Sequence, residues 1–414
     1  MYNLHLSAEQ LEIRDTVRDF VAREIKPFAL KPERMEALDH SLPPALLDKA
    51  SQLGLRTLAL SQEAGGAGAD ALTSCIVAEE LAAGDPDIAA VLTETSWLGH
   101  VLFDVLMSPA QRERFLPQFI EDDRYHLAFA DDEPDAEHAL GANYHRPTGG
   151  EVALKTTATR AVGGEWVING VKDCVANAPL AKLFAVTVQA APPAADGVRI
   201  VLVPRDAPGV TVTAHDDRDR WFHGACGRVT LQECRVPAQY VMESRLDDTL
   251  HRRNGREPPL AAAINLGIGR AAQEAALDYA QLRVQGGRRI VEHQAIGAKL
   301  AEIAIRVETA RYAVWQAAWA SDHPDAYADR SLADLPLATI AKVVASEAVH
   351  RAAKDAAECF GAMGVMRDMP LHKHVRDALI SLHAGGGNNH AKLKIAEALV
   401  GYRRLPATSM RAAE

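Results

Sequence analysis

With 414 residues the chain has room for a large hydrophobic core and two or three packed regions. Its 48% hydrophobic and 24% charged content excludes intrinsic disorder, and a formal net charge of −10 argues against a nucleic-acid-binding surface. No apolar run reaches bilayer-spanning length, and MYNLHLSAEQ lacks the basic-then-apolar order of a signal peptide, so neither a membrane nor export is expected. Cys75, Cys174, Cys226, Cys234 and Cys359 are scattered, odd in number and never in C-x-x-C spacing, which predicts a reducing, cytoplasmic setting without structural zinc. His372 and His374 stand near His383, but no set of histidines and carboxylates repeats along one helix face, so no metal is expected.

The first region reads as helices. Ser7 with Gln10 forms a capping box that opens a helix to about Phe28, with Leu11, Ile13, Val17, Phe20, Val21 and Ile25 near one face. Pro43-Pro44 starts a short helix that Gly54 ends, Asp70 caps the next, which ends at Gly84, and Ser108 with Gln111 repeats the capping box. Gly65-Gly66-Ala67-Gly68 lacks the order of a dinucleotide fingerprint and follows no strand, so it reads as a loop between helices.

From about Tyr125 to Tyr240 the pattern alternates and turns often. Strands are predicted over Val152–Val162, from Glu165 into Asn169-Gly170, and over Leu183–Val188, Val198–Val203 and Val229–Leu231. Asn169-Gly170 is the strongest short hairpin signal. These elements predict an antiparallel β domain set between helical ones.

From Pro258 onward the chain returns to long helices, about Pro258–Arg283, Glu292–Ser321, Ala333–Cys359, and two more flanking Gly385-Gly386-Gly387. Ile296, Leu300, Ile303, Val307 and Val314 recur at helical spacing, and a four-helix bundle is the economical way to bury such stripes. Three consecutive glycines favour a turn, with Asn388 available to cap the next helix. The turn is either an ordinary helix–helix loop or a place where a ligand meets bare backbone.

Several segments together resemble the acyl-CoA dehydrogenase family. They are Trp166-Val167-Ile168-Asn169-Gly170-Val171-Lys172, Cys234-Arg235-Val236-Pro237, Leu277-Asp278-Tyr279-Ala280, Glu292-His293-Gln294-Ala295, Phe360-Gly361, and Arg376-Asp377-Ala378 before the triple glycine. The resemblance runs from Leu11 to about Gly401. It implies an α+β fold with an N-terminal helical domain (1–122), a middle antiparallel β domain (123–245) and a C-terminal four-helix bundle (246–414). It also implies FAD as cofactor, an acyl thioester on CoA or a carrier protein as substrate, an electron-transfer flavoprotein as electron acceptor, and a homo-oligomer, usually a tetramer, with a hetero-oligomer as the alternative. Acyl-chain depth would depend on helices near Ser96 to Val105 and on the Gly385 loop.

Carried over residue by residue, the family pattern is partly broken. The flavin-contacting segment falls on Phe129, Asp131, Asp132, Glu133 and Pro134, with Asp132 in place of threonine; the next position, a serine, is His138. The family's W-x-T-N falls on Cys174, Ala176 and Asn177, losing stacking area and a hydroxyl, while Lys172 is retained. Arg283 matches the arginine that reaches a neighbouring subunit's cofactor, but its aromatic companion is Gly286; a surface ion pair at a helix end accounts for Arg283 equally well. Glu358 replaces an amide in the segment containing Gly361, and Asn389 replaces glutamate or glutamine. The family's loop glutamate, which takes the α-proton, falls on Gly385. The position used instead by the long-chain and isovaleryl enzymes falls on Glu257, which is either the base or a helix N-terminal charge beside Pro258. His383 is a further candidate base. Three functions remain open on these residues: an FAD-dependent acyl-thioester dehydrogenase, a flavin-dependent oxygenase of the same fold, and a partner subunit that has lost its flavin.

Overall fold

The computed structural model describes residues 5–32, 42–134, 154–190, 198–215, 222–242, 259–323, 335–384 and 387–400. The capping signals lie where the helices start. Ser7 Oγ accepts from the Gln10 N–H while the Gln10 side chain accepts from the Ser7 N–H, opening α1 (Ala8–Phe20), which continues through a π-turn at Val21–Ile25 into α2 (Lys26–Ala29). Pro44 occupies the first position of α3 (Pro44–Gln52), and Gly54 turns the chain at φ 79°. Asp70 accepts the Thr73 N–H at 2.7 Å and starts α4 (Ala71–Ala82). The helix expected near Ser96 begins earlier, as α5 (Pro86–Gly99), with Asp85 accepting the Asp87 and Ile88 N–H groups. Ser108 and Gln111 open α6 (Pro109–Glu121). Gly65–Gly68 is a turn, and a Cβ on Gly66 would lie 2.2 Å from the Leu60 carbonyl oxygen.

The middle region holds β1 (His126–Ala130), β2 (Thr157–Arg160), β3 (Trp166–Ala176), β4 (Ala181–Ala190), β5 (Val198–Pro204), β6 (Val210–Ala214) and β7 (Cys226–Val236). Their order is β1-β4-β2-β3-β7-β6, with β5 on β4. Most pairings are antiparallel, but β4 pairs in parallel with both β1 and β2, so the sheet is mixed. The Asn169-Gly170 hairpin does not exist. That dipeptide lies inside β3, and the β2–β3 turn is at Ala161–Glu165, closing on Arg160 opposite Trp166. Gly170 meets a different need: a Cβ there would sit 2.6 Å from Thr156 Cα, so glycine lets two backbones approach. Asn169 bonds both ways across β7, accepting the Glu233 N–H at 2.8 Å and donating to the Glu233 carboxylate at 2.9 Å.

The C-terminal region packs α7 (Leu260–Leu282), α8 (Gln294–Asp322), α9 (Leu337–Cys359) and α10 (Pro370–His383) side by side, with α11 (Gly387–Val400) on α9 and α10. A two-strand hairpin, β8 (Val284–Gln285) and β9 (Arg288–Arg289), joins α7 to α8. Ile303, Val307 and Val314 of the expected stripe are fully buried. The N-terminal helices and this bundle share one core, in which Ile25, Leu81 and Leu92 join Leu266, Val307 and Val349. The sheet forms a second core with the ends of α5 and α6. A Cβ on Gly267 would lie 2.4 Å from the Glu79 carbonyl oxygen, so α4 and α7 touch at backbone distance. Across the same contact Arg270 bonds Glu80 at 2.7 Å, and Arg311 of α8 bonds Glu79 of α4 at 2.8 Å. None of the described helices is long and apolar enough to cross a membrane.

Candidate active site

The end of β1 and the middle of β3 form one surface. The Asp173 N–H donates to the Asp132 carbonyl oxygen at 2.9 Å, which sets Asp131–Pro134 beside Lys172–Asn177. A bulge that breaks strand alternation between Lys172 and Val175 then sorts the side chains. Lys172, Val175 and Asn177 point into the protein and are buried, whereas Asp132 and Ala176 are exposed and Cys174 is half-buried. Cys174 (φ 53°) and Asn177 (φ 61°) hold left-handed backbone, and the β3–β7 register shifts between Lys172 and Val175. Asn177 is fixed from beneath, donating to the Val91 carbonyl oxygen and Thr95 Oγ1, both at 3.1 Å. Phe129 is half-buried in β1 and packs against the sheet core.

Beneath this surface lies a buried ion pair. Lys172 Nζ donates to Glu133 Oε1 at 2.9 Å, Thr187 Oγ1 at 3.0 Å and the Asp131 carbonyl oxygen at 3.0 Å, so all three of its donors are used. Glu133 also accepts the Lys155 and Thr156 N–H groups at 2.7 and 2.9 Å. Burial pushes the Glu133 carboxyl up, but the hydrogen bonds from Thr156, Lys172 and Lys155 outweigh it and hold the group at about 2. Burial pulls the Lys172 ammonium down against the pull of Glu133. Asp131 turns inward too, accepting from Thr187 Oγ1 at 2.8 Å. Asp131 therefore supports the surface from below, whereas Asp132 belongs to it.

The second group of expected site residues lies on the bundle. Arg283 ends α7, is exposed, and reaches Gln285 at 3.4 Å. Glu358, at the end of α9, is ion-paired with Lys299. That pairing holds its carboxylate low, first through the Lys299 hydrogen bond and then through its charge. Phe360 stacks on Tyr279 at 4.0 Å, and Gly361 follows at φ 59° with open space where a Cβ would be. Asn389 is exposed on the first turn of α11. Its neighbour Asn388, expected as a helix cap, instead lies within that turn and faces α9, where its Oδ1 accepts from Lys342 Nζ at 2.8 Å.

A junction that sequence reasoning missed ties α10 to the rest. Asp377 of the R-D-A motif accepts from Lys373 Nζ at 2.5 Å, with Asp85 Oδ2 at 3.8 Å from the same nitrogen. Burial works against both charges, but their mutual attraction raises Lys373 and lowers Asp377. Asp87 accepts the Gly224 N–H at 3.0 Å, and His223 stands between Asp87 Oδ1 (3.6 Å) and Ser381 Oγ (3.3 Å). Helix α5, the start of β7 and α10 are thereby joined by buried polar groups, and the R-D-A aspartate is a structural tie. Asp85-Pro86-Asp87, a helix start with a surplus acid, was the available signal. A small apolar recess nearby is lined by Leu58, Val77, Leu81, Leu92, Trp97 and Leu260, from the α3–α4 connection, α4, α5 and α7. Glu257, His138 and Gly385 lie outside the described residues.

Family models for the acyl-CoA dehydrogenase N-terminal, middle and C-terminal domains match residues 7–123, 148–228 and 255–400. An acyl-CoA dehydrogenase of Bacillus subtilis (strain 168) is 30% identical over 403 residues, covering 96% of this chain and all of its own length. The chain belongs to the acyl-CoA dehydrogenase family. The human mitochondrial short-chain specific acyl-CoA dehydrogenase is 29% identical over 390 residues, covering 92% of this chain and 87% of its own. The structure of butyryl-CoA dehydrogenase from Megasphaera elsdenii aligns with a TM-score of 0.81 at 25% identity, covering 96% of this chain and all of that one. The chain is an oxidoreductase of the acyl-CoA dehydrogenase type, and its cofactor is FAD.

The described residues fit that cofactor. Ala176 and Cys174 leave the face of β3 bare, as a flat ring requires, and Gly361 offers unobstructed backbone. The family's tryptophan and threonine would cover part of that face, and their loss widens it. Asp132 is the residue that fits least, because an exposed carboxylate replaces a neutral hydroxyl.

Proposed function

We propose that this family member removes hydrogen across the Cα–Cβ bond of an acyl thioester, with Glu257 as the base and FAD over the open face of β3. The observation that carries the reading is that face itself: Asp132, Cys174 and Ala176 left uncovered above the buried Lys172–Glu133 tie. Asp132, His138, Cys174 and Ala176 hold the ring end of the cofactor, with Phe129 and Asp131 supporting that surface from below, and Arg283, Glu358, Gly361 and Asn389 hold the remainder, Arg283 toward a neighbouring subunit of a homotetramer. Bound there, FAD supplies the acceptor for the β-hydride. The protein's own work is to position the thioester, exclude water and take the α-proton on a Glu257 carboxylate oxygen. An electron-transfer flavoprotein then takes the electrons, in a cytoplasmic setting.

The test is anaerobic addition of acyl-CoA to the purified protein. The wild type bleaches and Glu257→Gln slows bleaching by about 100-fold or more, within the range a general base contributes. Unchanged bleaching in Glu257→Gln removes that residue from the role. Asp132→Thr removes negative charge from the cofactor's surroundings, so a potentiometric titration should show a higher flavin midpoint potential than wild type.

A further inference from the structure

Two adjacent residues of β3, Asp173 and Cys174, meet a third potential metal ligand, His215, that is distant in sequence. Asp173 Oδ1, Cys174 Sγ and His215 Nε2 all lie within 4.8 Å of one another. Asp173 and Cys174 sit at the register shift of β3, and His215 follows the last residue of β6, with its N–H donating to the Cys226 carbonyl oxygen at 3.0 Å. The contact between His215 Nε2 and Asp173 Oδ1 is 2.7 Å, yet Nε2 is buried and makes no hydrogen bond, because the two atoms are close but misaligned. Close, misaligned donor atoms are what two ligands aimed at a common point give. The second oxygen, Asp173 Oδ2, accepts from Arg228 Nη2 at 2.6 Å, an outer contact of the kind that orients ligating carboxylates.

We propose that Asp173, Cys174 and His215 form a binding site for a divalent transition-metal ion of the zinc class. One thiolate, one imidazole and one carboxylate, with a fourth position left to water, is a donor set suited to that class and poorly suited to magnesium or calcium. Tetrahedral zinc holds nitrogen and oxygen ligands about 3.4 Å apart. Occupation therefore requires the half-exposed His215 ring to withdraw by a fraction of an ångström from its present contact. The site shares Cys174 with the face assigned to FAD but does not rest on that assignment, since no flavin atom is among its ligands. Scattered cysteines argued against zinc along the sequence; β6 and the bulge in β3 assemble the set only in three dimensions.

The test is titration of the isolated protein, with whatever flavin it carries, with Co(II) and Zn(II), followed by metal analysis after gel filtration. The proposal expects a single bound ion per chain and, for Co(II), a thiolate-to-metal absorption band in the difference spectrum. Cys174→Ser and His215→Gln should each weaken binding by more than about 100-fold, beyond the cost of outer-shell changes, while circular dichroism and the melting temperature stay those of wild type. Arg228→Ala, which removes the outer contact that orients Asp173, should weaken binding by about 10- to 100-fold. Absence of a stoichiometric ion in the wild type, or retention of wild-type affinity in Cys174→Ser, overturns it.

Discussion

Lys172 is fully buried and, among the described residues, its charged partner at hydrogen-bond distance is Glu133, so the two must be judged together. Removing one partner strands the other charge in the protein interior, which costs about 3–5 kcal/mol. Glu133→Gln is therefore expected to lower unfolding stability by that amount in urea melts and to release FAD. Glu133→Gln combined with Lys172→Met should be less destabilised than Glu133→Gln alone, because no charge is left unpaired. The pH dependence follows from the same group. Its carboxyl stands at about 2 when folded against an ordinary 4.5, so the folded state binds fewer protons in between. The stability it gives is fully present above pH 4.5 and is lost as pH falls toward about 2. A chemical-denaturation series across that window should show stability falling with acid, and a flatter curve for Glu133→Gln. The matching positions were legible in the sequence, but their roles were not. Glu133 and Lys172 are 39 residues apart in number, and only the assembled sheet, with β2 between β3 and β4, shows that one carboxylate serves three donors.

Among elements, the helices were easier to read than the sheet. Ser7, Pro44, Asp70 and Ser108 act within three or four residues of themselves, so their signals are complete in the local sequence. Strand pairing is not local. Asn169-Gly170 carries every mark of a two-residue turn, yet Gly170 is there because Thr156, from the chain before β2, passes within 2.6 Å of where its Cβ would be. Gly170→Ala should thus destabilise the protein by more than about 2 kcal/mol, whereas Gly163→Ala, in the true turn with open space and ordinary φ, should change it little. Thermal melts of the two variants check both expectations. The R-D-A motif shows a similar limit. Its match to a family was visible, but its use as one end of a buried bridge to Asp85 is a property of α5 and α10 in contact.

At the scale of the molecule, the N-terminal helices and the C-terminal bundle bury one common core and are bridged by the Asp85–Lys373–Asp377 contact, while the segment leading into β7 is held to both by Asp87–His223–Ser381. None of these contacts uses Cys174, Ala176 or Gly286, so the fold persists although those positions have lost the family's side chains. The α–β–α order was readable because period changes are large-scale features; the parallel pairings of β4 were not, because nothing local specifies strand direction. The central claim is that this scaffold still carries a working flavin. The most direct measurement is the absorption spectrum of the purified protein before and after incubation with FAD. A flavin band that persists through gel filtration is the expected result. Colourless protein that takes up no FAD would contradict the account.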